Sequence, residues 1–176
     1  MLVLGVDPGL TRCGFGAISG QPGARAELVD VGGIRTPADL GHALRLLRIE
    51  QALDALVVRL RPDKVAVERV FAQQNLYSVT GTTQAAGIAM LVAARHGVPV
   101  TLHTPTEVKA AITGSGRADK AQLGAMVTRI LGLAAAPRPA DAADAVALAL
   151  CQLWRGSTGN RYAAAVQAHR SAGRSA

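Results

Sequence analysis

Acidic residues are scarce in this chain, and two of them stand where acids are uncommon, at the ends of apolar runs. The 176 residues include only 12 Asp and Glu. Asp7 ends the run Leu2–Asp7, and Glu68 ends the run Asp63–Glu68. If both runs are parallel strands of one sheet, the two carboxylates lie in the crevice at the carboxyl ends of the strands, where open α/β sheets bind ligands. For each residue alone, the alternative is a turn cap or an ion pair with an arginine.

Two further acids, Asp141 and Asp144, lie three residues apart in the segment PADAADAVALAL. On a helix this spacing places both side chains on one face, with Cβ atoms about 5–6 Å apart. The alternative is ordinary helix-start chemistry, since carboxylates are favourable in the first turn. The surrounding alanines and leucines predict a helix packed on the sheet, however, and a buried face with two aspartates requires a counter-charge.

Together these acids predict a metal site. We expect Asp7, Glu68, Asp141 and Asp144 to converge, with no lysine near enough to neutralise them. Ligation by oxygen alone favours Mg²⁺ or Mn²⁺ over zinc. Two such ions about 3.5–4 Å apart suit phosphodiester hydrolysis. The residue types therefore predict the chemistry of a nuclease.

The elements that must position these acids follow from the periodicity of apolar residues. Strands are predicted over Leu2–Asp7, Thr11–Ile18, Arg25–Ile34, Asp63–Glu68 and Val98–Leu102. Helices are predicted from Asp39 to the stop at Pro62, and over Val79–His96, Thr106–Thr113, Lys120–Leu131 and Ala140–Trp154. The buried stripe of the first helix is predicted to comprise Leu40, Leu44, Leu47, Leu53, Leu56 and Val57.

This order predicts an α/β protein with a mixed five-stranded sheet flanked by helices. Three strands with short turns form an antiparallel meander, and the two strands that follow helices lie parallel to the first. The arrangement matches the ribonuclease H-like fold.

Composition predicts one folded domain and a basic tail. Apolar residues make up 49% of the chain and charged residues 18%, which is too apolar for a disordered protein. We expect a nuclease domain over residues 1–154 and a disordered tail over residues 155–176, which has four arginines and no acid. The net charge of +7 favours a polyanionic partner. No apolar run is long enough to span a membrane and no leader pattern is present, so we expect a cytoplasmic protein.

At this point several motifs identify a family. The chain resembles the RuvC family of bacterial Holliday-junction endonucleases from residue 1 to about residue 153, through GVDPGLT, VERVF, GSGRADK and PADAADA in that order. The resemblance implies that Asp7, Glu68, Asp141 and Asp144 are the catalytic metal ligands and that two Mg²⁺ ions bind, with Mn²⁺ as a substitute. One departure is Gln152, since many relatives have a histidine shortly after the apolar run.

The resemblance also implies DNA-binding residues. Lys109 and Lys120 match family lysines near the DNA, and Arg117 flanks a glycine loop whose backbone N–H groups suit a phosphate. Arg69, next to Glu68, is a further candidate. Phe71 matches a family aromatic that stacks on a base near the crossover, and core packing is its alternative.

The activity implied is the resolution of four-way DNA junctions by two symmetric nicks, in recombination and repair. The implied partners are a second copy of the chain, because a two-fold protein suits a two-fold substrate, and the RuvA–RuvB branch-migration complex. Two alternatives stay open: a ribonuclease H-like enzyme that cleaves RNA or RNA–DNA hybrids, and a junction-binding protein without catalysis. A sugar-kinase or actin-like ATPase is excluded by length, since it needs two such domains.

Overall fold

A five-stranded mixed sheet lies at the centre of the structure, a computed structural model that describes residues 1–70 and 76–155. The strands are β1 (Leu2–Asp7), β2 (Arg12–Ser19), β3 (Glu27–Arg35), β4 (Lys64–Glu68) and β5 (Val100–His103), in the spatial order β3-β2-β1-β4-β5. β1 pairs antiparallel with β2, and β2 with β3, whereas β1, β4 and β5 are parallel. The predicted fold class is confirmed, and β1 and β4 end at the same edge of the sheet.

Five helices flank the sheet: α1 (His42–Leu60), α2 (Leu76–Arg95), α3 (Pro105–Thr113), α4 (Lys120–Leu131) and α5 (Ala140–Arg155). Their bounds agree with the predicted ones to within three residues, because local signals set the helix ends. Thr104 and Asp119 cap α3 and α4 through reciprocal hydrogen bonds with the third helical residue, and Gly114 and Gly132 end these helices in the left-handed conformation.

The helices form one layer on each face of the sheet. On one face, α1 and α2 bury Leu53, Val57 and Val92 against the sheet. On the other face, α5 lies on the strands, with α3 and α4 packed against it. The predicted stripe of α1 is correct for Leu53, Leu56 and Val57 but wrong for Leu44 and Leu47, which are 54% and 48% exposed. Leu44 lies nine residues before Leu53, and Leu47 nine before Leu56, so at 3.6 residues per turn each points away from the buried face of the helix, which Ile49 occupies instead. Leu40 precedes the helix.

Close packing of α5 on the sheet depends on glycine. A Cβ atom on Gly5 would lie 2.0 Å from the carbonyl oxygen of Ala145, and one on Gly14 would lie 2.1 Å from that of Asp141. A Cβ atom on Gly16 would lie 2.4 Å from the Cγ2 of Val146 and 2.8 Å from its backbone nitrogen. The helix therefore rests directly on the backbone of β1 and β2, and its alanine-rich face makes the same approach possible from its own side.

α5 is the last element that the structure describes. α5 continues through Arg155, one residue into the predicted tail, and residues 156–176 lie outside the described residues, as does Phe71. None of the helices in the described ranges is long and apolar enough to cross a membrane.

Candidate active site

Strand alternation turns the two strand acids toward α5. Successive side chains of a strand point to opposite faces, so Asp7 shares a face with Val3, and Glu68 shares one with Ala66. Val3 and Ala66 both lie in the core cluster that α5 forms with the sheet. Because β1 and β4 are paired and parallel, Asp7 and Glu68 lie side by side beneath α5.

The first turns of α5 bring the other two acids to the same place. Asp141 and Asp144 are three residues apart on the helix, as predicted, and their side chains are only 22% and 18% exposed. The close approach of Gly14 to the backbone of Asp141 sets the distance between α5 and the sheet. Gly14 lies opposite Asp7 in the β1–β2 ladder. The structure thus brings all four predicted acids together at the carboxyl end of β1.

Electrostatics confirm that the carboxylates affect one another. The pKa of Asp7 is raised to about 8, first by burial and then by the negative charges of Glu68, Asp144 and Asp141. The pKa of Glu68 is also raised, again by burial and then by Asp144. A carboxyl group whose pKa is shifted close to neutral pH, in a cluster of this kind, is typical of functional sites.

Two cations reach the cluster, and this corrects the expectation that no lysine lies nearby. The Nζ of Lys120 lies 2.9 Å from the Oδ2 of Asp144, and the Nε of Arg12 lies 3.3 Å from the Oδ2 of Asp141. Lys120 is the first residue of α4, and α4 packs against α5. The positive charge beside Asp144 therefore comes from a different helix. Hydrogen bonding to Asp144 raises the pKa of Lys120, which is therefore charged at neutral pH.

The donor set fits a hard divalent cation. Every candidate ligand atom is a carboxylate oxygen, and the pKa of Asp7 is raised first by burial and then by the neighbouring negative charges, which such an ion would offset. Within residues 1–70 and 76–155, no group of three or more His, Cys, Asp or Glu side chains is arranged to hold a metal ion as it stands. Arg12 and Lys120 instead engage two of the four carboxylates.

The remaining predicted DNA-binding residues surround this cluster unequally. Lys109 and Lys120 both lower the pKa of Glu68, so both lie within electrostatic range of it. Arg117 is exposed in the loop between α3 and α4, where its backbone N–H donates to the Oγ of Ser115 over 3.3 Å. Arg69 is exposed at the end of β4, and its backbone N–H donates to the backbone carbonyl of His103. Phe71 lies outside the described residues, so its stacking role stays a prediction.

Sequence reasoning missed Arg12. Its signal was available, because the antiparallel turn after Asp7 returns the chain beside the same strand end. Arg12 has the parity of Gly14 and therefore faces α5. Pairing β1 with β2 in the observed register, with Asp7 opposite Gly14, would have placed Arg12 next to the acids.

A buried polar pair beside the site was also missed. The Nε2 of His103 donates to the Oε1 of Gln152 over 2.9 Å, which ties the end of β5 to α5. Burial lowers the pKa of His103, so the ring is neutral, and its Nδ1 faces the Sγ of Cys151 at 3.9 Å. Gln152, at which the chain departs from many relatives, thus has a structural partner.

Comparison with known proteins identifies the family. The family model described as "Crossover junction endodeoxyribonuclease RuvC" matches residues 3–152. The chain belongs to the RuvC family. A RuvC crossover junction endodeoxyribonuclease from Cutibacterium acnes is 64% identical over 96% of this chain and 86% of its own length. One from Streptomyces avermitilis is 60% identical over the whole of both chains.

A solved structure shares the fold at good coverage. Thermus thermophilus RuvC, in complex with a Holliday junction substrate, superposes with a TM-score of 0.85 and 34% identity, over 90% of this chain and 96% of that one. The predicted family and the ribonuclease H-like arrangement are therefore confirmed.

Proposed function

We propose that this chain resolves four-way DNA junctions by hydrolysing two phosphodiester bonds symmetrically, in recombination and DNA repair. The observation that supports this most directly is the cluster of four carboxylates at the end of β1, in a chain of the RuvC family. The Thermus thermophilus relative was solved with a Holliday junction. The other RuvC relatives named above are junction endodeoxyribonucleases.

Asp7, Glu68, Asp141 and Asp144 would hold two Mg²⁺ ions, with Mn²⁺ as a substitute. Such ions supply Lewis acidity that activates a nucleophile and stabilises the leaving oxygen of a phosphodiester. The protein's own contribution is to hold the carboxylates on rigid elements, two on neighbouring strands and two on α5. Lys120, already at the cluster, supplies positive charge beside the attacked phosphate.

The remaining proposed contacts bind and orient the DNA. Lys109, Lys120, Arg117 and Arg69 would contact phosphates, and Phe71 would stack on a base near the crossover. A homodimer would match the two-fold symmetry of the junction. We further propose that the protein works in the cytoplasm with the RuvA–RuvB complex, and that residues 155–176 form a basic tail outside the nuclease domain.

Cleavage of labelled four-way junctions tests the site. We expect Asp7→Asn, Glu68→Gln, Asp141→Asn and Asp144→Asn each to abolish cleavage while junction binding in EDTA stays nearly unchanged, because phosphate contacts elsewhere supply affinity. Glu50→Gln is the matched control, since Glu50 pairs with Arg95 on the α1–α2 layer. Undiminished cleavage by any two of the four variants would contradict the assignment.

The same assay separates the alternative functions. EDTA should stop cleavage, and Mg²⁺ or Mn²⁺ should restore it. RNA–DNA hybrids of equal length should be cut far more slowly than junctions. Faster cleavage of the hybrid would favour a ribonuclease H-like enzyme that cleaves RNA–DNA hybrids. Tight junction binding with no cleavage in the presence of either metal would favour a junction-binding protein without catalysis.

A further inference from the structure

The carboxylate cluster has a flank of two arginines that none of the proposed contacts uses. Gly14 lies opposite Asp7 in the sheet, and Arg12, two residues before Gly14, faces α5 in the same way. Arg35 lies directly opposite Arg12 at the end of β3, so it points to that face as well. The α5 face of this sheet edge therefore runs from Arg35 through Arg12 to Asp7 and on to Glu68.

This pair of arginines is unfavourable for folding. Residues directly opposite in an antiparallel ladder have Cβ atoms about 4.5–5.5 Å apart, and like charges there are destabilising. The side chain of Arg35 is exposed and makes no hydrogen bond or ion pair with the residues that the structure describes. By contrast, Arg59 and Arg95 elsewhere on the surface each pair with an acid. A like-charged pair of this kind suits an anion that lies between the two guanidinium groups.

The contact of Arg12 with Asp141 is easily exchanged. The Arg12 side chain is 62% exposed, and an ion pair that is solvated in this way is worth about 0–1 kcal/mol. A DNA phosphate can therefore replace Asp141 as its partner at little cost. The planar guanidinium group also offers paired N–H donors that match two phosphate oxygens.

We propose that Arg12 and Arg35 bind the DNA backbone at a phosphate next to the one that is cleaved, on the β2–β3 flank of the site. Lys109 and Lys120 lie on the opposite flank, near Glu68 and Asp144. The cleaved strand then lies across the carboxylates between two lysines and two arginines. This assignment rests on the proposed cleavage of DNA at the four carboxylates.

Salt dependence of junction binding tests the two contacts without requiring cleavage. Binding of a fluorescent four-way junction is measured in EDTA over a series of KCl concentrations for Arg12→Gln, Arg35→Gln and the double variant. Because the two arginines share one phosphate, losing that contact in the double variant should make the log–log salt slope shallower by about 0.9, and each single variant should lose part of this amount. Arg35→Lys should keep most of the slope, because it keeps the charge.

Arg59→Gln is the matched control. Arg59 is 57% exposed and also pairs with an aspartate, Asp30, but neither residue touches the four carboxylates. Its slope should match that of the unchanged protein. Equal loss in Arg59→Gln would reduce the effect to net charge and would overturn the proposal, as would unchanged slopes in both Arg12→Gln and Arg35→Gln. Thermal melts check folding, and neither variant should lower the melting temperature by much, since the loss of the exposed Arg12–Asp141 pair is offset by the removal of like-charge repulsion.

Neutral phosphates locate the contact on the DNA. Single methylphosphonates are placed along the cleaved strand, and each is combined with Arg12→Gln and Arg35→Gln in a double-mutant cycle. Coupling should appear at a phosphate adjacent to the cleaved one. Coupling only farther away, or at no position, would overturn the placement.

The carboxylate site and the arginine site can be disproved separately. If Glu68→Gln still cleaves, the carboxylate assignment is wrong, whatever the arginine slopes are. If Glu68→Gln is inactive while neither arginine variant changes the slope, only the arginine site is wrong.

Discussion

Asp7 is a carboxylate that folding buries among other carboxylates, so in metal-free protein it opposes folding. Its pKa is about 8 in the folded chain and 3.8 in the reference state, and burial is the main cause. A group whose acid pKa rises on folding favours the neutral form. Its unfavourable contribution is absent below pH 3.8, grows as the pH rises, and becomes constant above about 8.

Replacing Asp7 by Asn should therefore stabilise the metal-free protein while abolishing cleavage. We expect Asp7→Asn to raise the melting temperature in EDTA, by more at about pH 8.5 than at about pH 5. The exposed Asp39→Asn serves as the control and should have little effect at either pH. A lower melting temperature for Asp7→Asn at both pH values would mean that the charged carboxylate makes favourable contacts that outweigh its burial.

At the scale of elements, the site depends on how closely α5 approaches the sheet. The helix contributes two of the four acids, and glycines at the β1–β2 pair let it touch the strand backbone. The buried His103–Gln152 hydrogen bond fixes the same helix to the end of β5. Small shifts of α5 should therefore affect the relative positions of strand acids and helix acids.

Gly14→Ala tests this contact. The added Cβ would lie 2.1 Å from the carbonyl of Asp141 and would push the first turn of α5 outward. We expect cleavage to fall steeply and stability to drop by about 1–3 kcal/mol, as in overpacked cores. Chemical denaturation and single-turnover cleavage measure the two effects.

Gly33→Ala provides a matched control, since its Cβ would lie 3.4 Å from the nearest atom, Cγ of Pro139. It is a glycine-to-alanine change in a neighbouring strand on the same face of the sheet, and it should leave both quantities nearly unchanged. If Gly14→Ala cleaves junctions at the normal rate, the close approach of α5 does not position the acids.

At the scale of the whole molecule, the described residues of one chain form one carboxylate cluster, whereas symmetric resolution needs two cuts. Light scattering should give a molar mass twice the 18.1 kDa of the chain. On a supercoiled plasmid with an extruded cruciform, the unchanged protein should yield linear DNA directly. Mixed dimers with Glu68→Gln should leave nicked circles instead. A monomeric mass together with direct linear product would contradict the paired arrangement.

How far the sequence leads depends on whether the information is local. The ends of α3 and α4 are predictable because caps and glycines specify them within a few residues. The order of strands and helices sets Asp7 and Glu68 at one edge, since crossover connections make β1 and β4 parallel. The spacing of Asp141 and Asp144 likewise needs only the helical period. From these features the fold and the convergence of the four acids could be predicted, whereas the family was predicted from the motifs around the acids.

Only the tertiary structure decides which charges meet those acids. Lys120 reaches Asp144 because α4 packs on α5, and Arg12 reaches Asp141 because the β1–β2 register and the glycine contacts bring strand and helix together. Such pairings join residues far apart in sequence, and their distances depend on the packing of several elements at once, so no local pattern determines them.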